Sequence, residues 1–339
     1  MLCFGFVFSN AQDPHFSQFY ASPMNLNPAL TGVMAGQYRF NMMYRDQWRA
    51  VSIPYQTFSA SADIRYHIVD QDFYTLGIRL LNDKAGDSGF RQTGGHINAA
   101  YMKQVSGGDQ DHYLTGGVQI GVGQNTMEWG SLWFGNQFDF TLLSENLNLP
   151  AGEPNILTNT GRTEIYLDIG AGLSWFMTWD EVNSLTIGGA LSHINKPQVS
   201  FLNDDRVSLF QKFTGHINLE LEVNNLYTLM PALLFQTQGP HQEIVFGSNF
   251  RFNEFDKKAT AIRVGAWLRL VSHESNPIAT DAIILTTMYE FDRYLLGLSY
   301  DITMSSLSPA NNRNGGFELS FTYLFPYTQR KYEVRCPTY

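Results

Sequence analysis

Acidic and basic side chains recur here at every second position of otherwise apolar segments, and they are the groups best equipped for chemistry. Asp63, Asp168, Glu220, Glu222, Glu290, Asp301 and Glu318 share that placement with Arg39, Arg45, Arg65, Arg79, Arg263 and Arg269. Such groups either pair across an enclosed interior or line a path for a polar substrate, and the pattern alone leaves both readings open. Catalytic signatures are missing. There is no His-Glu-x-x-His, Cys-x-x-Cys or Gly-x-Ser-x-Gly in the chain, so no enzyme, metal site or cofactor is expected. Gly116, Gly117, Gly121 and Gly123 fall inside an extended segment rather than a phosphate-cradling loop. The stretch Asn82 to Asp87 offers oxygen ligands in a loop but lacks the bidentate Glu of an EF-hand, and it reads as a turn. His193 and His216 stand singly at or near strand ends and read as hydrogen-bonded side chains rather than ligands.

The elements that must position these groups are strands. In 215–224, Ile217, Leu219, Leu221 and Val223 oppose His216, Asn218, Glu220, Glu222 and Asn224, giving one apolar and one wet face. A slip of one residue would turn two carboxylates onto the apolar side, so the segment specifies its own register. The same alternation runs through 58–68, 163–177 and 317–325, where Leu324 breaks it. About fourteen such strands can be placed, at 37–45, 55–68, 73–82, 94–106, 111–124, 163–177, 183–192, 212–224, 227–237, 242–252, 260–271, 280–290, 293–303 and 315–325.

Most of these segments reach ten residues, whereas strands of soluble proteins cluster near about 5–6 and tilted membrane strands need about 9–11. Charged residues make up 16% of the 339, below the roughly 25% of soluble domains, and aromatics reach 14%. No other stretch attains the roughly 18 apolar residues of a membrane helix. The expected fold is all-β: a transmembrane antiparallel barrel over 37–325, with small wet-face residues leaving room for an interior filling. Connections alternate between mostly short (69–72, 107–110, 178–182, 225–226, 253–259, 291–292) and mostly longer (46–54, 83–93, 125–162, 193–211, 272–279, 304–314), with 238–241 the exception. Short turns belong to the periplasmic side of such barrels, which would put both termini there. Aromatics near strand ends (Tyr44 and Trp48, Trp175 to Trp179, Tyr289 to Tyr294, Tyr323 to Tyr327) suit an interfacial girdle, the alternative being ordinary core packing.

The flanks are of another kind. Residues 2–8 form a short apolar run ending at Ser9-Asn10-Ala11, which reads as the end of a signal peptide cleaved before Gln12, though without a basic n-region. Residues 12–36 carry three prolines and no clean period, and read as an arm or plug. The tail, 326–339, sets Arg330, Lys331 and Arg335 beside Cys336 against a net charge of −9, and is either a periplasmic docking segment or a solvated end. That negative balance excludes nucleic acid as a partner class. Cys3 lies in the leader, so no disulfide is expected for Cys336.

Gln12-Asp13-Pro14-His15-Phe16-Ser17-Gln18-Phe19-Tyr20, then Ser22-Pro23 and Asn27-Pro28-Ala29-Leu30-Thr31-Gly32, resemble the PorP/SprF family of outer-membrane proteins of the type IX secretion system. The likeness continues at Tyr44-Arg45-Asp46-Gln47-Trp48, His193-Ile194-Asn195-Lys196-Pro197, Tyr300-Asp301, Ser305 to Ser308, Gly315-Gly316-Phe317-Glu318-Leu319-Ser320 and Cys336-Pro337. The resemblance implies a barrel similar to that of long-chain fatty-acid channels, integral to a Gram-negative outer membrane and without enzymatic activity. It also implies assistance to secreted adhesins bearing a C-terminal sorting domain, in some members linked to gliding motility, with other type IX components and outer-membrane lipid as partners. Gln12, Asp13, Pro14, Phe16, Ser17, Gln18, Asn27, Pro28, Gly32, Arg45, Asp46, Gln47 and Trp48 are thereby candidates for plugging the barrel or meeting partners, and equally for guiding folding.

Overall fold

The computed structural model describes residues 13–49, 53–68, 71–86, 88–106, 110–128, 161–180, 182–201, 204, 207–253, 260–273, 276–305, 313–326 and 336. Fourteen strands follow one another along the chain: β1 Tyr38–Gln47, β2 Tyr55–His67, β3 Phe73–Ala85, β4 Phe90–Ser106, β5 Asp111–Thr126, β6 Tyr166–Thr178 and β7 Ser184–Ser192, then β8 Lys212–Asn224, β9 Tyr227–Gln238, β10 His241–Asn253, β11 Thr260–His273, β12 Asn276–Phe291, β13 Tyr294–Thr303 and β14 Asn314–Phe325. Each pairs antiparallel with its sequence neighbours, and β1 meets β14 from Tyr38↔Phe325 to Gln47↔Gly316, closing the sheet into a barrel. Closure removes the open edges that a sheet would otherwise present to lipid.

The faces are inverted relative to a water-soluble protein. Arg65, Arg263 and Arg269 are among the largest fully buried side chains, while Ile97, Leu173 and Val223 stand 64%, 64% and 67% exposed on the outer wall. An apolar exterior round a polar interior fits a barrel seated in a bilayer. The register expected for 215–224 is the one observed: His216 and Glu220 are buried inside and Val223 points out. Leu324, which interrupts the alternation of β14, turns inward against the buried apolar cluster.

Two strand pairs run further than their alternation suggested. Segments 83–93 and 272–279, expected as longer loops, are largely strand, because β3 pairs with β4 out to Ala85↔Phe90 while β11 runs to His273 and β12 begins at Asn276. There Asn82, Asp83 and Lys84 face Thr93, Gln92 and Arg91, polar on both faces, so backbone pairing persists where the apolar stripe has ended. Asn82 to Ala85 is therefore strand and not a ligand loop, while Asp87 lies outside the described residues. The longer connections of that end are 127–165, 193–211 and 304–313; the opposite end carries the tight turns 225–226 and 292–293. Aromatic pairs ring this turn end: Tyr38 with Phe325, Tyr294 with Tyr323, Tyr227 with Phe252 and Tyr74 with Tyr101.

Candidate functional site

Residues 13–36 lie inside the barrel. They form a 3-10 turn at Phe19–Ala21, the short helix α1 at Pro23–Leu26 and a second 3-10 turn at Pro28–Leu30. Pro23 and Pro28 begin the latter two, where a missing N–H costs nothing. Phe16, Phe19, Leu26, Leu30 and Val33 form one buried apolar cluster with wall residues, in which Tyr20 stacks on Trp267 with ring centroids 5.1 Å apart. So short a segment has no core of its own, and the wall supplies one.

Four polar seats fix it to the wall. At the first, Glu318 of β14 accepts from the backbone amides of Ser17 (2.6 Å) and Gln18 (2.9 Å). The Ser17 hydroxyl donates to Asp301 (2.8 Å) and accepts from Arg45 (2.7 Å) and Arg269 (3.0 Å). Arg45 also pairs with Glu318 and Asp301, and Arg269 with Asp301 and Asp281, so two guanidinium groups and three carboxylates surround one hydroxyl. Buried charges are tolerable only when paired in this way. Gln18 completes the seat with Ser299 (3.2 Å) and Ser320 (3.0 Å).

At the second seat, Asn27 caps the Pro28–Leu30 turn through the Ala29 amide (2.9 Å), and its side-chain amide donates to the carbonyls of Leu173 (3.0 Å) and Gly189 (3.2 Å). The neighbouring wall must lack side chains: a Cβ on Gly172 would lie 2.0 Å from the Asn27 Oδ1, and one on Gly117 2.6 Å from the Pro28 carbonyl oxygen. At the third, Asp63 accepts from the Gly32 amide (2.7 Å) and from both edges of Arg39 (3.0 and 2.6 Å), while Arg39 also donates to the carbonyls of Leu30 and Val33 (3.1 Å each). Gly32 adopts φ +75°, and a Cβ there would lie 2.3 Å from the Thr75 Cγ2, so only glycine fits.

The fourth seat is a relay at the loop end. Asp13 meets His193 (2.7 Å), His193 meets Asp168 (2.8 Å), and Asp168 meets His96 (2.9 Å). His96 contacts Arg79 (3.0 Å), and Arg79 returns to the arm at Asn25 (2.8 Å). His193 ends β7 with φ +55°, which swings its ring into the lumen. Burial works against charge on His193, but the Asp13 and Asp168 carboxylates outweigh it and raise its pKa to about 9. Burial likewise opposes charge on Asp13, yet His193 and Lys212 hold its carboxyl well below the usual range. His15 lies 3.6 Å from Glu243, but burial and the nearby Arg45, Arg269 and Lys212 lower its pKa well below the ordinary value, so this contact joins a neutral ring to the carboxyl.

A pH dependence follows. The proton on His193 is held more tightly in the folded chain, so its stabilisation is complete below the ordinary value of 6.5 and is lost as the pH climbs through about 9. Asp13 contributes above its ordinary 3.8 and is lost only in strong acid. The thermal midpoint of the protein is therefore expected to fall between pH 6.5 and about 9, and an H193Q variant to show a flatter profile over that window; equal slopes for the two would remove the relay as a source of stability.

Of the residues singled out from the sequence, the lumen gathers Asp13, Ser17, Gln18, Asn27, Gly32 and Arg45, with Phe16 and Pro28 buried beside them. Pro14 lines the small cavity at the relay, and Gln47 accepts from Arg45 (3.3 Å). Asp46 is not in the lumen, since it shares the outward parity of Tyr44; Trp48 leaves the strand with φ +60° and packs on Tyr55 at the loop end of the barrel. Asp13, the first described residue of the arm, sits at the loop end of the barrel and not at the short-turn end expected for both termini. Gln12, Arg330, Lys331 and Arg335 lie outside the described residues, as do the signal-peptide segment and most of 125–162. Cys336 is described: its Sγ accepts from Arg65 (3.0 Å) and packs against the apolar cluster. His96, Asn41 and Trp267 were not foreseen; their inward parity was readable, but their partners are remote in sequence. Among the described residues, no group of three or more His, Cys, Asp or Glu side chains could hold a metal ion.

A closed fourteen-strand barrel with an apolar wall and a charged, filled lumen is an integral outer-membrane protein. The family model for "Type IX secretion system membrane protein PorP/SprF" matches residues 8–323, and the chain belongs to that family. A search of curated sequences found no match. Among solved structures, the CymD monoaromatic hydrocarbon channel is similar over 91% of this chain and 94% of its own, at 11% identity and a TM-score of 0.52, which establishes the shared barrel fold. The toluene transporter TbuX of Ralstonia pickettii (90% and 94% covered, 10% identity, TM-score 0.43) and CdiB from Acinetobacter baumannii (85% and 60%, 8%, 0.45) are more distant.

Proposed function

We propose that this protein is a cargo-specific accessory of type IX secretion, assisting the export or surface anchoring of an adhesin with a C-terminal sorting domain and serving gliding motility. The observation that carries this reading is the filled lumen. Residues 13–36 occupy the interior and engage wall strands from β1 to β14, which favours a scaffold that holds cargo over a conduit that passes it. Cargo would be held by the loops at 125–162 and 193–211, and the tail at 326–339 would meet other components of the machinery. The alternative, a passive channel for hydrophobic or small solutes, draws on the shared fold alone and requires the arm to leave. Deleting the gene is expected to reduce one or a few adhesins at the cell surface several-fold while others keep their level. Unchanged surface levels for every adhesin bearing a sorting domain would end this reading.

A further inference from the structure

The segment Tyr44 to Trp48 serves two sides of the wall. Arg45 and Gln47 face inward, whereas Tyr44 and Asp46 face the membrane side and the seats described above make no use of them. Asp46 is 7% exposed although it sits on the outward face. Its carboxylate accepts from Tyr44 Oη (3.1 Å) and Gln56 Nε2 (3.2 Å), and it takes both Nε (3.2 Å) and Nη2 (2.5 Å) of Arg49. Across the barrel seam, Asp46 lies opposite Phe317 of β14, and Phe317 opposite Tyr300 of β13, whose hydroxyl donates to Asn314 (2.8 Å). A bulge at Gly315 shifts the β13–β14 pairing here, and a Cβ on that residue would lie 2.5 Å from the Asp301 carbonyl oxygen. The result is a hollow of about 500 Å³ lined by Tyr44, Asp46, Arg49, Tyr300, Asn314 and Phe317.

Position restricts what can enter. Asp46 is eight residues along β1 from the girdle residue Tyr38, which at about 3.3 Å per residue and a tilt of about 40° places it roughly 20 Å up the wall. That distance spans most of the apolar band and brings the hollow to headgroup level at the outer leaflet. Chemistry restricts it further. The Asp46–Arg49 pair carries no net charge, so the site presents donors and acceptors rather than a cationic phosphate clamp, and it sets them among three aromatic rings. Polyhydroxylated rings have apolar faces for such side chains and hydroxyl edges for carboxylate, amide and guanidinium groups. We propose that this hollow docks the sugar headgroup of an outer-leaflet glycolipid, with ring faces on Tyr44, Tyr300 and Phe317 and hydroxyls on Asp46, Arg49 and Asn314.

The test uses the full chain purified in detergent and incubated with rough lipopolysaccharide, with phosphatidylglycerol, or with core oligosaccharide lacking acyl chains; bound molecules are counted by native mass spectrometry. Lipopolysaccharide is expected to be retained about tenfold more than phosphatidylglycerol. That excess should vanish in the Y44A/Y300A double variant and in R49Q, and persist in Y294A at the opposite girdle. Equal retention of phosphatidylglycerol overturns the proposal, as does full retention by R49Q. Free oligosaccharide binding as strongly as lipopolysaccharide also overturns it, because the ligand would then be a soluble glycan. The Arg49 side chain is 71% exposed, so R49Q keeps the test decisive should the tyrosine pair not fold.

Discussion

An R45A variant is expected to lose about 3–5 kcal/mol of stability, the range found when one partner is removed from a buried ion pair. Arg45 is almost wholly buried and touches Glu318, Asp301 and the Ser17 hydroxyl together. Without it, Glu318 keeps only neutral donors, and Asp301 keeps Arg269. The surplus negative charge then sits on side chains that are almost wholly buried. The measurement is urea-driven unfolding from lipid vesicles followed by tryptophan fluorescence, with R293A as control. Arg293 belongs to an exposed pair with Asp292, and its loss should stay within about 0.5 kcal/mol. A loss for R45A no larger than the control's would mean that the lumen network adds nothing net to the fold.

Removal of residues 14–33 is expected to change the barrel from electrically silent to conducting in planar bilayers. Eight-stranded barrels fill with their own side chains and barrels of about 16–18 strands leave a water channel; fourteen lies close enough to the latter that a filling is needed to close it. Here the filling is the arm, and the wall glycines Gly117 and Gly172 face it without side chains of their own. A shortened chain that still migrates as a folded barrel yet passes no current would show that wall side chains alone close the lumen. Should the deletion prevent folding, an S17A/N27A pair, which loosens two seats, is expected to give brief flickering openings where the intact chain gives none.

Much of this architecture is legible in the residues because a strand has only two faces. Once Ile217, Leu219, Leu221 and Val223 are placed outward, His216 and Glu220 have nowhere to go but the lumen. The inward arginines and carboxylates follow from the same parity: Arg39 pairs with Asp63, Arg45 with Asp301 and Glu318, Arg263 with Glu290 and Arg269 with Asp301, whereas Arg79 turns to His96 and Asn25 and Asp168 to two histidines. The limits are equally physical. Where the wall rises above the apolar belt, as at Asn82 to Lys84, both faces are polar and the signal that marks a strand disappears although the hydrogen bonds continue. The path of the arm is not written in its own residues: Ser17 is 301 positions from Glu318 and Asp13 is 180 from His193, and no local rule connects them. Asp46 is the instructive case. It shares outward parity with Phe40, Met42 and Tyr44, and a carboxylate in that row was a sign of a polar feature on the wall.

The seam between β1 and β14 has a consequence for how the molecule is made. The two strands that flank it are the first and last to be synthesised, and the first seat of the arm straddles them, with Arg45 on one side and Glu318 on the other. The arm's serine therefore cannot find its full set of partners until the last strand has arrived and the ring has shut, which makes ring closure and arm capture a single late event with the long loop-closure cost of a very non-local contact. A nascent ring caught before that moment would leave Glu318 of β14 and Arg45 of β1 without each other across its gap.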